Sequence, residues 1–170
     1  MVAPRLKLVL DTNVVLDWLV FRDASVADLL PPLDAGRVEL ITHAPAIDEL
    51  RRVLTYTHLK LPPHRQQQIL EQYLSQTRSG ALPEGFDLDD LKLPAAFPRC
   101  RDCDDQHFLA LAYHERADAL VSKDRAVLKL RKRARRFNVT ILDPRQLASM
   151  LNGAQAPRHE DAQTPPLPTQ

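Results

Sequence analysis

Carboxylates recur in this sequence at one kind of position, just beyond short apolar runs. Asp11 directly follows the run 6–10, and Asp124 comes one residue after the run 119–122. The run 38–42 leads into a helix start carrying Asp48 and Glu49, and the segment after a long connection opens with Asp102, Asp104 and Asp105. Each acid has an ordinary structural use. Asp11, Asp102 and Asp124 suit helix N-caps, which accept bonds from orphan backbone N–H groups. Glu49 and Asp105 suit first turns, where negative charge complements the helix dipole. Helical phase then separates them. Asp105, Phe108, Leu109 and Ala112 follow i, i+3, i+4, i+7, so Asp105 continues an apolar stripe inward. Glu49 lies at the edge of the Ile47, Leu50, Leu54 stripe, whereas Asp48 faces Arg51 and Arg52 and reads as an exposed ion pair.

Converging carboxylates repel one another and take up protons unless a cation compensates them. No lysine is close in sequence to Asp11, Glu49 or Asp105, and Lys123 adjoins Asp124 alone. A divalent metal is the simplest compensation. All-oxygen ligands favour Mg²⁺ or Mn²⁺ over zinc. A metal held there suits phosphoryl chemistry, because it lowers the pKa of a bound water and stabilises charge on a transferring phosphate.

The elements that must position these acids alternate between strand and helix patterns. Strands are expected at 6–10, 38–42, 119–122 and 139–142. Helices are expected at 13–21, 24–35 (weakened by Pro31 and Pro32), 46–55, 63–78, 104–116, 125–135 and 144–151. Residues 80–100 read as a long Pro-containing connection. This alternation predicts an α/β domain with a parallel sheet covered by helices. Ligands bind such a sheet beyond the carboxyl ends of its strands, where the acids fall. One domain is expected over 1–151, followed by a disordered Pro-containing tail over 152–170.

Composition narrows the class. The 170 residues carry 23 Lys plus Arg and 22 Asp plus Glu, a net charge of +1, which excludes a uniformly basic nucleic-acid binder. Four glycines form neither of the Gly-rich phosphate-loop motifs. No apolar run reaches the length of a secretory core or a membrane span, so a cytoplasmic protein without a membrane partner is expected. Cys100 and Cys103 read as two reduced thiols in a loop. A zinc alternative would draw on His107 and His114. His43, His58 and His64 show no ligand spacing and read as surface or loop residues, while Trp18 and Phe21 fit helical core spacing.

Four segments in order resemble the PIN-domain ribonucleases, particularly toxin-like PIN proteins of bacterial toxin–antitoxin systems. They are Leu10-Asp-Thr-Asn-Val-Val15, Ile47-Asp-Glu-Leu50, Arg101-Asp-Cys-Asp-Asp-Gln-His-Phe-Leu-Ala-Leu-Ala112 and Leu120-Val-Ser-Lys-Asp124. The resemblance implies a three-layer α/β/α domain with a central parallel sheet. It also implies an acidic pocket that binds Mg²⁺ or Mn²⁺ and cleaves RNA. Carried over, Asp11, Glu49, Asp105 and Asp124 would be the acidic quartet, with Asp11, Asp105 and Asp124 as metal ligands. Asn13 and Ser122 would support them. The third acid stays open among Asp102, Asp104 and Asp105; helical phase favours Asp105. A cognate antitoxin and a homodimer follow from the resemblance alone.

The run 129–136 holds six basic residues in eight. It reads as a solvated helix face or as a phosphate-holding rim for RNA, with Lys129, Arg131, Lys132 and Arg133 as contacts. Two other functions compete. A phosphohydrolase with Asp11 as nucleophile would want a second Asp two residues on, where Asn13 stands and cannot transfer a proton. A PIN-like module without catalysis would bind RNA or a partner only.

Overall fold

The computed structural model describes residues 5–80, 92–101 and 103–153. Five parallel strands form one sheet: β1 Leu6–Leu10, β2 Val38–Thr42, β3 Thr77–Ser79, β4 Ala119–Val121 and β5 Ile141–Leu142. Their order is β3-β2-β1-β4-β5. Val9 pairs with both Ile41 and Leu120, which puts β1 at the centre. The chain fills one flank with β2 and β3, then crosses to the other with β4 and β5. The direction of winding therefore reverses between β1 and β4, the crevice where ligands enter such sheets.

Both faces of the sheet are covered, as near-continuous apolar strands require. Side chains alternate across β1. Leu8 and Leu10 face a cluster with Val14, Trp18, Leu29, Leu50 and Leu147. Val9 faces the opposite cluster, with Phe97, Phe108, Leu111 and Val127. Full burial of one such aliphatic side chain contributes roughly 1.5–3 kcal/mol. The result is the expected three-layer α/β/α arrangement, with β1 and β4 held between helices. Among the described residues, no helix is long and apolar enough to cross a membrane.

The helices are α1 Thr12–Leu16, α2 Leu30–Asp34, α3 Ala44–Leu54, α4 Pro63–Gln76, α5 Gln106–His114, α6 Arg125–Leu128, α7 Arg131–Ala134 and α8 Pro144–Gly153. Several differ from expectation. The first expected helix divides into α1 and a widened π turn, Asp17–Phe21, in which the Arg22 N–H bonds back to the Asp17 carbonyl. That turn rotates Phe21 out to 56% exposure while Trp18 stays buried, so only Trp18 fills the core as expected. The second becomes a 3₁₀ stretch, Ala24–Leu29, followed by α2, whose first turn accommodates Pro31 and Pro32.

The expected helix over 63–78 stops at Gln76, and Thr77–Ser79 turns extended to pair with β2 as a fifth strand. Residues 125–137 fold as α6, α7 and a 3₁₀ turn rather than as one helix. The last helix reaches Gly153. The remainder of the expected tail, and residues 81–91 of the long connection, lie outside the described residues.

Candidate active site

Asp11 is the residue after the central strand and the N-cap of α1. It is only 2% exposed. One carboxylate oxygen accepts the Asn13 N–H at 3.2 Å, and the other accepts the Ser122 hydroxyl at 2.6 Å. The acid singled out from the sequence is thus also a helix cap. Ser122 is fully buried just past β4, and its hydroxyl oxygen also accepts the Asp124 N–H at 3.0 Å. It therefore joins the loops that leave β1 and β4 across the crevice. Asp124 caps α6 by accepting the Ala126 N–H at 2.5 Å.

Burial pushes the Asp11 carboxyl above its usual range. The bonds from Ser122 and Asn13 oppose this, and the charges of Glu49 and Asp124 add to it. Asp11 therefore feels both of the other acids. Lys123, the lysine that adjoins Asp124, points elsewhere: its Nζ lies 2.5 Å from the Asp17 carboxylate, itself buried on the π turn.

Glu49 sits half-buried on α3. Asp48, one residue before it, is exposed and pairs with Arg51 at 2.6 Å, as the sequence suggests. Asp105 is half-buried where a short 3₁₀ turn, Cys103–Asp105, meets the start of α5. The α5 helix packs on β1, β4 and α3. The entry to α5 is pinned by Gln106, whose side-chain oxygen accepts the Cys100 N–H at 2.6 Å. Asp104 is exposed, and Asp102 lies outside the described residues. The Asn13 side chain is exposed, so its contact with Asp11 is through the backbone N–H.

Two histidines belong to this edge that sequence reasoning placed elsewhere. His43 lies in the connection after β2, as expected of a loop residue, but is 2% exposed rather than at the surface, whereas His58 and His64 are exposed as expected. His107 Nε2 lies 3.1 Å from Glu49 Oε2, and its Nδ1 lies 3.2 Å from His43 Nε2. His107 thus faces Glu49 and His43. Cys100 is buried, and the Cys103 side chain lies outside the described residues. The available signal was positional: His43 directly follows a strand, at the same sheet edge as the acids.

Among the described residues, no three His, Cys, Asp or Glu side chains are grouped so as to hold a metal ion by themselves. The donor chemistry still fits a hard cation. A desolvated carboxylate raised by two further carboxylates is what a divalent charge would relieve. Mg²⁺ commonly takes only one or two protein carboxylates and completes its shell with water and substrate phosphate. Asp11 and Asp124 flank the crevice where that can happen.

Arg125 at the start of α6, and Lys129, Lys132, Arg133, Arg135 and Arg136 of the basic run, are exposed at the surface. Arg131 is not among them. Its guanidinium donates to the Ile141 carbonyl at 3.1 Å and to Asp143 at 3.2 Å, which ties α7 to β5.

Among curated proteins, none matches the chain. A family model described as a PIN domain matches residues 7–126, a span that takes in Asp11, Glu49, Asp105 and Asp124 and ends before the basic run. PIN domains are generally nucleases. The matched span runs from the central strand through the acids on both sides of the crevice, and the chain belongs to the PIN-domain family.

Proposed function

We propose that this protein is a divalent-metal-dependent ribonuclease, and that it is the toxin of a toxin–antitoxin pair. The observation that carries the nuclease reading is Asp11. It is an acid at the switch between β1 and β4 whose pKa is raised by burial and further by the charges of Glu49 and Asp124, with the neighbouring Lys123 committed to Asp17. Asp11, Asp105 and Asp124 would hold Mg²⁺ or Mn²⁺. When bound, such an ion makes water more acidic and neutralises charge on the phosphodiester. Glu49 takes or directs the proton of the attacking water. Ser122 holds the Asp11 carboxylate at a fixed angle through its hydroxyl, and the Asn13 backbone does the same from the other oxygen. The exposed bases of 125–136 hold the RNA backbone. The toxin role, a cognate antitoxin and a homodimer rest on family likeness.

A second reading, a PIN-like module that binds without cleaving, draws on the lack of a ready-made three-ligand group among the described residues. One pair of measurements separates the readings. Wild type should cleave defined RNAs with Mn²⁺ and gain thermal stability from the ion. Asp11→Asn should lose both, with cleavage falling more than about 100-fold, beyond what an outer-shell change typically costs. Undiminished cleavage by Asp11→Asn would remove the nuclease assignment. A wild type that neither cleaves nor is stabilised would favour the module.

A further inference from the structure

His43 and His107 have no part in the chemistry above, yet they are 2% and 4% exposed at the acidic edge. Their ring centroids stand 4.9 Å apart, and the His107 ring lies 4.1 Å from that of Phe108. They come from different elements: His43 from the turn after β2, His107 from the start of α5. Glu49, on the helix α3 that His43 caps, meets His107 at 3.1 Å. A glutamate side chain loses considerable rotamer freedom when fixed, so a group that directs its carboxylate must make a definite bond to it.

We propose that His43 and His107 form a chain of N–H donors that sets the direction of the Glu49 carboxylate. His43 Nε2–H donates to His107 Nδ1, and His107 Nε2–H donates to Glu49 Oε2. Elementary donor rules give the chain its direction. An ionised carboxylate only accepts, so the hydrogen of that contact sits on His107 Nε2. Where His107 holds its single hydrogen on Nε2 it accepts at Nδ1, and the hydrogen of the second contact then comes from His43 Nε2. Burial depresses the His43 pKa to about 3, so that ring is neutral near pH 7 and has one hydrogen to give. Histidine–carboxylate links of this kind orient the groups that act in metal sites. Both histidines are positioning residues. Their effect on catalysis rests on the ribonuclease reading, whereas the donor chain itself does not.

Nitrogen-15 NMR of the full, metal-free chain at neutral pH tests the chain directly. Both rings should be Nε2–H tautomers, and the His107 Nε2-bound proton should shift on Glu49→Gln. Either ring in another state, or a His107 signal indifferent to Glu49→Gln, overturns the proposal. Kinetics with Mn²⁺ and RNA give the second arm. His107→Leu should lower kcat by about 10–100-fold with KM little changed. It should add no further loss in a Glu49→Gln background. His107→Gln, whose amide can still donate toward Glu49, should restore most of the rate and guards against a Leu variant that does not fold. Losses that add fully to those of Glu49→Gln would overturn the role. If wild type cleaves no RNA, the nuclease reading falls, and the tautomers still decide the donor chain.

Discussion

At Asp11 a single carboxylate is both a helix cap and the most strongly desolvated acid of the crevice, and these uses pull its energy in opposite directions. Its two hydrogen bonds favour the charged form, but burial and the fields of Glu49 and Asp124 outweigh them. The raised folded-state pKa fixes the sign of its effect on stability. Below the usual value of 3.8 the group is protonated in both states and imposes no charge penalty. As pH rises through the folded-state value, the native protein must give up a proton that the unfolded chain has already lost, and stability falls. Asp11→Asn should therefore melt at a higher temperature than metal-free wild type at neutral pH, with the gap closing in acid below pH 3.8. Calorimetry across that range checks this, and a variant that melts lower at neutral pH would contradict it. His43 has the opposite sign. Its folded-state pKa of about 3 lies below the ordinary 6.5, so its contribution is complete above pH 6.5 and is lost as pH falls toward 3. Each pH unit in that window is worth up to about 1.4 kcal/mol. His43→Gln should flatten acid unfolding between those limits, as measured by urea titrations at several pH values.

At the scale of elements, the Lys123–Asp17 pair joins the π turn to the loop that carries Ser122 and Asp124. Asp17 is buried while the Lys123 side chain is 45% exposed, so water screens much of the attraction. Removing only the lysine leaves a buried carboxylate without its cation. Lys123→Met should cost on the order of 1–3 kcal/mol in urea unfolding, less than a fully buried pair would lose. The double variant with Asp17→Asn should recover part of that loss. Equal costs for the single and double variants would mean the pair does not hold the loop. The sequence revealed strands β1 and β2 with their limits, because apolar runs announce strands buried on both faces. It concealed β3: Thr-Arg-Ser has no apolar residue, and only pairing with β2 makes it a strand. It also concealed the π turn, because Asp17–Phe21 keeps a helical pattern while its hydrogen bonds widen. The acids were legible as positions at strand ends. The His107 contacts were not, because they join α5 to the start of α3 across about sixty residues of chain, and only the folded sheet edge brings the two together.

The whole molecule resolves its near-neutral charge into two regions. The charges of Glu49 and Asp124 both act on Asp11 at the crevice. Arg125, Lys129, Lys132, Arg133, Arg135 and Arg136 are exposed along the segment that begins right after Asp124. An acidic crevice alone would repel RNA, so a polyanion reaching it needs bases nearby that keep their charge at the surface. Arg131 is bound to Ile141 and Asp143, so its replacement should reduce stability more than RNA affinity. The exposed bases should do the reverse. Each phosphate neutralised on a single strand contributes about 0.7 to the slope of log affinity against log salt. Replacing Lys132, Arg133 and Arg136 together by Gln should reduce that slope by about 2 if all three meet phosphate. Melting temperature should hardly change, because all three side chains are exposed and hold no element in place. Fluorescence titrations of a labelled RNA, with catalysis blocked by Asp11→Asn, measure the slope directly. An unchanged slope would make the segment a solvated face and leave the approach of RNA to other residues.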